Sequence, residues 1–174
     1  MSDYGHGLIS DNTARSIVKK SKFTAVNTQL NASNLGFHVI SKYLGANLIT
    51  INETEMRHEL RNKTEDRVSL IKTLSKKLRS NYIHVTSGEA GSMIYNSSTN
   101  EIISCPAFAD KVVDKVGTGD SMLAILAVSL YKKFDIKFSM FLSALVAAEN
   151  IQYMANKISI TKSNITRAVQ SYLK

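Results

Sequence analysis

Five short runs rich in branched or aromatic residues are separated by helix-spaced segments or by a polar break. These runs are FTAVNT (23–28), NLITI (47–51), YIHVTS (82–87), SMIYN (92–96) and EIISC (101–105). Branched and aromatic side chains suit a pleated surface, so each run is expected to be a strand. Residues 11–20, roughly 34–43 and 53–79 carry helical spacing, and Leu70, Ile71, Leu74 and Leu78 recur about once per turn. That stripe would face a sheet. Strand–helix–strand alternation of this kind predicts βαβ units and a sheet covered by helices. YNSSTNE (95–101) is a polar break between two strand-like runs, hence a surface hairpin or short loop. From Gly119 onward the strands stop: helices are expected over 119–133 and 137–155, with a last one capped by Ser163. The fold class read from this order is α/β, a Rossmann-like doubly wound sheet with flanking helices.

Composition narrows the function classes. At 174 residues and 44% hydrophobic content, one domain with a sizeable core is the expectation, and there are no repeats or low-complexity tracts. The single cysteine, Cys105, excludes an internal disulfide and any thiolate-rich zinc site, and it is expected to be a small buried residue. The chain has no run of 18 apolar residues and MSDYGHGLIS lacks the pattern of a signal peptide, so a cytoplasmic location without a membrane partner is expected. The net charge is +8, and the basic residues behind it are scattered, Lys19, Lys20, Lys22, Lys76, Lys77, Arg79, Lys132 and Lys133 among them, mostly where solvated helix faces or C-termini would put them. No RNA-binding aromatic motif, zinc finger or helix-turn-helix signature accompanies them, so no nucleic-acid partner is expected. His38, His58 and His84 lack metal-ligand spacing and are expected to be surface or strand residues.

The chemistry concentrates in VVDKVGTGDSML (112–123). Gly117 and Gly119 let the backbone approach a ligand closely, and the helix that follows aims unpaired N–H groups and a partial positive charge at the same place. An anion suits that turn. Asp120 beside an anion is electrostatically costly, yet well placed to take a proton from a hydroxyl attacking phosphorus. The alternative is that Asp120 caps the helix and the glycines merely make a tight turn. Asn52 and Glu55 lie three apart at a strand-to-helix junction, where they could face one side of the first turn or form a capping pair, with Glu53 as a plain first-turn acid.

DKVGTGDSMLA resembles the C-terminal signature of the ribokinase-like (PfkB) carbohydrate kinases, usually written D-T-x-G-A-G-D. NETE (52–55) is similar to that family's N-x-x-E motif, and VTSGEAG (85–91) to its T-x-G-x-x-G segment. MSDYGHGLI with FTAVNTQ, and AENIQYMANKISITKSNITRAVQ at the end, look most like kinases of heptose phosphates and their bifunctional kinase–nucleotidyltransferase relatives. The resemblance implies ATP and Mg2+ as cofactors and a sugar or sugar phosphate as acceptor. It makes Asp120 the catalytic base, with the backbone of Gly117, Thr118 and Gly119 as the anion hole. Thr86, Gly88, Gly91 and Ala147 would lie near the nucleotide, the adenine pocket falling around Ala144, Ala147 and Ala148. Asn52 and Glu55 would order water around magnesium, and Asp3 and Tyr4 would lie near the sugar-phosphate pocket.

The chain departs from the family's pattern in several places. Thr118 stands where it has alanine, His6 where lysine is expected, and NTQ (27–29) where relatives carry an aspartate-proline-lysine-like run. The resemblance covers all 174 residues but only the second half of a full kinase. It implies a partial domain, residues 1–174 as the C-terminal, nucleotide-binding half, inactive toward sugar by itself. Two other readings stay open: a nucleotide- or anion-binding fragment without catalysis, and an interaction module that completes another chain's sheet. An open sheet edge would in either case favour homo-oligomers.

Overall fold

The computed structural model describes residues 1–29, 40–109, 114, 116–152 and 160–172. The chain divides into two compact units, one of Met1–Ser87 with Met93–Ile103, the other of Gly88–Ser92 with Ser104–Lys174. A six-stranded sheet runs in the order β1 (Ser2–Asp3), β2 (Ala25–Thr28), β3 (Leu48–Asn52), β4 (Tyr82–Thr86), β5 (Ser92–Asn96), β6 (Glu101–Cys105). The first four strands are parallel, and Asn52 pairs with Thr86 at the last rung of β3 and β4. These strands are linked by α1 (Asp11–Lys20), by a 3-10 turn at Ile40–Tyr43, and by α2 (Glu53–Leu60) with α3 (Arg67–Leu78). This is the α/β sheet with flanking helices that the sequence predicts.

The core of the first unit explains the strand composition. Val26, Ile49, Ile51, Ile83 and Val85 are buried from the strands, against Ala14 of α1, Met56 of α2 and the α3 stripe Leu70, Ile71, Leu74 and Leu78. Four consecutive residues of β3, Leu48 to Ile51, are buried, which marks a strand covered on both faces rather than an alternating one. In the second unit α4 (Thr118–Tyr131) and α5 (Ile136–Asn150) bury Leu123, Leu126 and Leu130 on the first and Met140, Leu145 and Val146 on the second. Both are rich in apolar residues, though Val128, Tyr131 and Phe138 are exposed. The last helix, α6 (Lys162–Tyr172), is anchored by Tyr172, whose ring lies 5.0 Å from Phe108 and 6.3 Å from Phe141. Among the described residues no helix is long and apolar enough to cross a membrane.

Several expected boundaries move. The single helix expected over 53–79 is two helices. Arg61 ends α2 in the left-handed conformation at φ 50°, and Asp66 restarts the chain by accepting hydrogen bonds from the N–H groups of Val68 and Ser69. Of the segment 34–43, only Ile40–Tyr43 lies among the described residues, and it is a 3-10 turn. The helix expected from Gly119 begins one residue earlier, at Thr118. The one expected to reach 155 closes at Asn150, with 153–155 outside the described residues. Ser163 is not the last cap but lies inside α6. Thr161 precedes the helix and accepts from Asn164 N at 3.3 Å, while Asn164 Oδ1 accepts from Thr161 N at 3.2 Å.

Candidate active site

The β3–α2 junction follows from one local pattern. Asn52 leaves β3 in an extended conformation and its Oδ1 accepts from Glu55 N at 2.8 Å; Glu55 Oε2 in turn accepts from Asn52 N at 3.0 Å. The capping alternative is therefore real here, a complete reciprocal box. It also fixes the two side chains of the N-x-x-E pattern in one turn, at the end of β3, with Thr86 one strand away in register. Asn52 is exposed and Glu55 buried. Among the described residues no three His, Cys, Asp or Glu side chains converge to cage a metal, whereas an indirect role for Glu55 through water requires only one carboxylate.

Glu53, expected to be a plain first-turn acid, is the hub of a network instead. Its Oε1 accepts from Arg57 Nε at 3.1 Å and Nη2 at 2.9 Å, and its Oε2 accepts from Ser87 Oγ at 3.0 Å. Arg67 Nη1 donates to Ser87 Oγ at 3.0 Å and lies 3.6 Å from Glu53 Oε2. Partial burial pushes the Glu53 carboxyl up, but the hydrogen bonds from Arg57 and Ser87 and the charges of Arg67 and Arg57 outweigh it, leaving the group below its ordinary range. Neither Ser87 nor the two arginines stood out in the sequence, because their spacing from Glu53 matches no local motif except the i, i+4 step to Arg57.

After β4 the segment resembling T-x-G-x-x-G forms a 3-10 turn at Gly88–Ala90 rather than a plain hairpin turn. Gly91 (φ 79°) admits no side chain: a Cβ there would lie 2.2 Å from the Cys105 carbonyl oxygen. Cys105 itself is buried, as expected, and burial pushes its thiol up.

The glycine turn opens α4 differently from α2. Asp114 accepts from Val116 N at 2.9 Å, folding the chain back ahead of Gly117, which is the N-cap in the left-handed conformation at φ 79° and supplies no side-chain cap. Thr118, Gly119 and Asp120 are the first three helical residues, and Ser121 N–H donates to Gly117 O at 3.0 Å. Asp120 is half-buried and is the third residue of the first turn, so it is not the N-cap. The Thr118 hydroxyl is buried and has no hydrogen-bond partner among the described residues. Within α5, Ala144 and Ala148 are buried core residues and Ala147 is half-buried.

Asp3 and Tyr4 are separated by burial. Asp3 is buried and engaged: Lys42 Nζ lies at 2.6 Å, the Tyr43 hydroxyl donates at 2.5 Å, and Gly5 N donates at 3.0 Å. Tyr4 and His6 are exposed. Burial, and then the Asp3 hydrogen bond and charge, push the Tyr43 hydroxyl far above its ordinary range, so it stays a donor. His84 is fully buried on β4, its Nδ1 3.4 Å from Thr50 Oγ1 and its Nε2 without a hydrogen-bond partner, and burial pushes it down to about 3. His58 is exposed, and His38 lies outside the described residues.

Residues 10–162 match the pattern of the pfkB family carbohydrate kinases, and the chain belongs to that family. It is 30% identical over 151 residues to the bifunctional protein HldE of Campylobacter fetus subsp. fetus, covering 85% of this chain and 32% of that protein. HldE of Helicobacter pylori is 36% identical over 100 residues, 56% of this chain and 21% of the relative. Among solved structures, phosphofructokinase-2 from Escherichia coli in complex with substrates and products superposes with a TM-score of 0.78 at 13% identity, over 99% of this chain and 56% of that one. Ribokinase from Thermotoga maritima gives 0.73 at 18% identity, over 91% and 52%. These likenesses establish the ribokinase-like fold. The chain spans about a third of the length of the HldE protein of C. fetus and about half that of the structures.

Proposed function

We propose that residues 1–174 are the ATP-binding, catalytic-base half of a carbohydrate kinase that phosphorylates a hydroxyl of a sugar or sugar phosphate. The observation that carries this reading is the first turn of α4. Its N-cap is a glycine that supplies no side-chain cap, the Thr118 hydroxyl beside it is buried with no hydrogen-bond partner among the described residues, and a carboxylate follows within the same turn. Closed helix starts do not need such an arrangement; an anion does. ATP would supply the phosphoryl group to be transferred. The backbone of Gly117, Thr118 and Gly119 would hold negative charge on it, and Asp120 would take the proton of the attacking hydroxyl. Asn52 and Glu55 would order the water around magnesium, and Thr86, Gly88, Gly91 and Ala147 would border the nucleotide.

Acceptor contacts would come from sequence outside these residues, a reading supported by the 56% coverage of the phosphofructokinase-2 chain. A heptose phosphate is the finer choice of acceptor, supported by the likeness to HldE proteins and by the end segments of the chain.

Calorimetry on the 174-residue protein tests this directly. Weak binding of ATP or ADP that needs magnesium is expected, with no phosphorylation of sugar by this chain alone. Absence of heat and of any thermal shift at millimolar nucleotide would overturn the reading, and sugar phosphate formed by these residues alone would overturn the division into halves.

A further inference from the structure

The rungs of β3 and β4 end at Asn52 and Thr86. Beyond that rung the two strands part, β3 into α2 and β4 into Ser87, and the sheet no longer fixes one against the other. The Glu53 network takes over at that point. Glu53 is the first residue of α2, Arg67 the first of α3, and Ser87 the first after β4. Ser87 Oγ donates to Glu53 Oε2 at 3.0 Å and accepts from Arg67 Nη1 at 3.0 Å. Arg57, held by the same carboxylate, also donates to the carbonyls of Lys63 at 3.2 Å and Glu65 at 2.9 Å, so the α2–α3 turn is tied to it as well.

Helix economy alone does not account for this. Asp66 already caps α3 with two hydrogen bonds, and a cation at the first helical position is unfavourable to the helix dipole. Arg67 is placed at some cost to α3, and its return is the contact with Ser87 and Glu53. We infer that Glu53 is a positioning residue, which through Ser87 and Arg67 holds the exit of β4 against the Asn52–Glu55 turn. This rests on the reading above, in which Asn52, Glu55 and Thr86 serve the nucleotide and its magnesium. Glu53 itself need touch neither.

Ser87→Ala, Ser87→Thr and Glu53→Gln in the 174-residue protein test the tie with two readouts. Amide exchange by NMR should accelerate at Asn52–Glu55 and Thr86–Ser87 in Ser87→Ala and Glu53→Gln, while the interior of β3 and β4 keeps its protection. Affinity for Mg-ADP should fall about fivefold, the worth of one net hydrogen bond, and Ser87→Thr, which keeps the hydroxyl, should restore both readouts. Unchanged exchange in the variants overturns the inference whether or not the parent binds nucleotide. Faster exchange with unchanged Mg-ADP affinity makes Glu53 a strut of the fold alone and overturns it too. A parent protein without affinity for Mg-ADP overturns instead the reading of the site on which the inference rests.

Discussion

Helices α2 and α4 both carry acid in the first turn, and they begin in opposite ways. At α2 the Asn52 and Glu55 side chains satisfy each other's backbone N–H groups, and Glu53 is committed to Arg57 and Ser87. At α4 the N-cap is Gly117, which offers no side chain, and the adjacent Thr118 hydroxyl is buried with no partner among the described residues. Unpaired buried polar groups cost about 1–3 kcal/mol each, so an end left open needs a ligand to repay it or a backbone reason to be tolerated. On the function proposed above, the closed end holds shape and the α4 start would receive negative charge.

The largest effect that would sharpen this contrast is on Asp120. As a general base, Asp120→Asn should reduce turnover with ATP and sugar by about 10² or more in the intact kinase while nucleotide affinity stays near the parent's. Asparagine keeps the size and loses only the first-turn charge, worth about 0.3–1 kcal/mol to the helix, so a role confined to the first turn predicts a small loss of stability and turnover within error of the parent.

His84 provides a second kind of unpaired group, one in the strand core where the only available ligand is a proton. Its pKa in the folded protein, about 3, lies below the ordinary 6.5, so between those values the unfolded chain binds a proton that the native state refuses. Stability is therefore complete above about pH 6.5 and falls as pH drops, by up to about 1.4 kcal/mol per unit. Denaturant melts between pH 6.5 and 5 should show that slope, and His84→Gln should flatten it. An unchanged slope in the variant would place the acid sensitivity elsewhere. Glu53, held below its ordinary range, loses its contribution only as pH falls below that range, outside this window.

The closed end is probed by Asn52→Ala. Loss of the capping oxygen should lower stability by about 1 kcal/mol, read as a shift in denaturant midpoint at constant slope. If magnesium-dependent nucleotide affinity falls as well, the box serves both shape and site; if only the midpoint moves, the α2 start is a wall and nothing more.

What the sequence makes legible here is local, and what it hides is not. Branched runs identify β2 to β5 because burial on both faces selects such residues at most positions, whereas β6, mostly half-buried or exposed, is legible from its composition alone. Gly117 is legible because a left-handed N-cap before an apolar helix demands glycine within the motif itself. The requirement at Gly91 is set by the Cys105 carbonyl, brought near only by folding, so the motif suggests the glycine but not its reason. The break between α2 and α3 is invisible to periodicity because the apolar stripe lies wholly in α3; the Asp66 cap was its one local sign. Glu53 with Ser87, and Asp3 with Lys42 and Tyr43, are pairings across strands that no spacing encodes.

The smallest expected effect is the most discriminating for the open end. Thr118 stands where the family pattern has alanine, and its hydroxyl is buried with no partner among the described residues. Removing an unsatisfied hydroxyl by Thr118→Ala should leave stability unchanged or raise it by a few tenths of a kcal/mol, since alanine also has the higher helix propensity. If the hydroxyl is an orphan only until an anion arrives, the same variant should bind Mg-ATP more weakly, by a few-fold, because the ligand then loses one donor. Opposite signs for the two measurements would mark the first turn of α4 as built for its ligand at the expense of the free protein. A variant that gains stability and keeps full affinity would leave only the backbone N–H groups as the receptor, and a variant that loses stability would show that the hydroxyl is paired and that the α4 start is closed like that of α2.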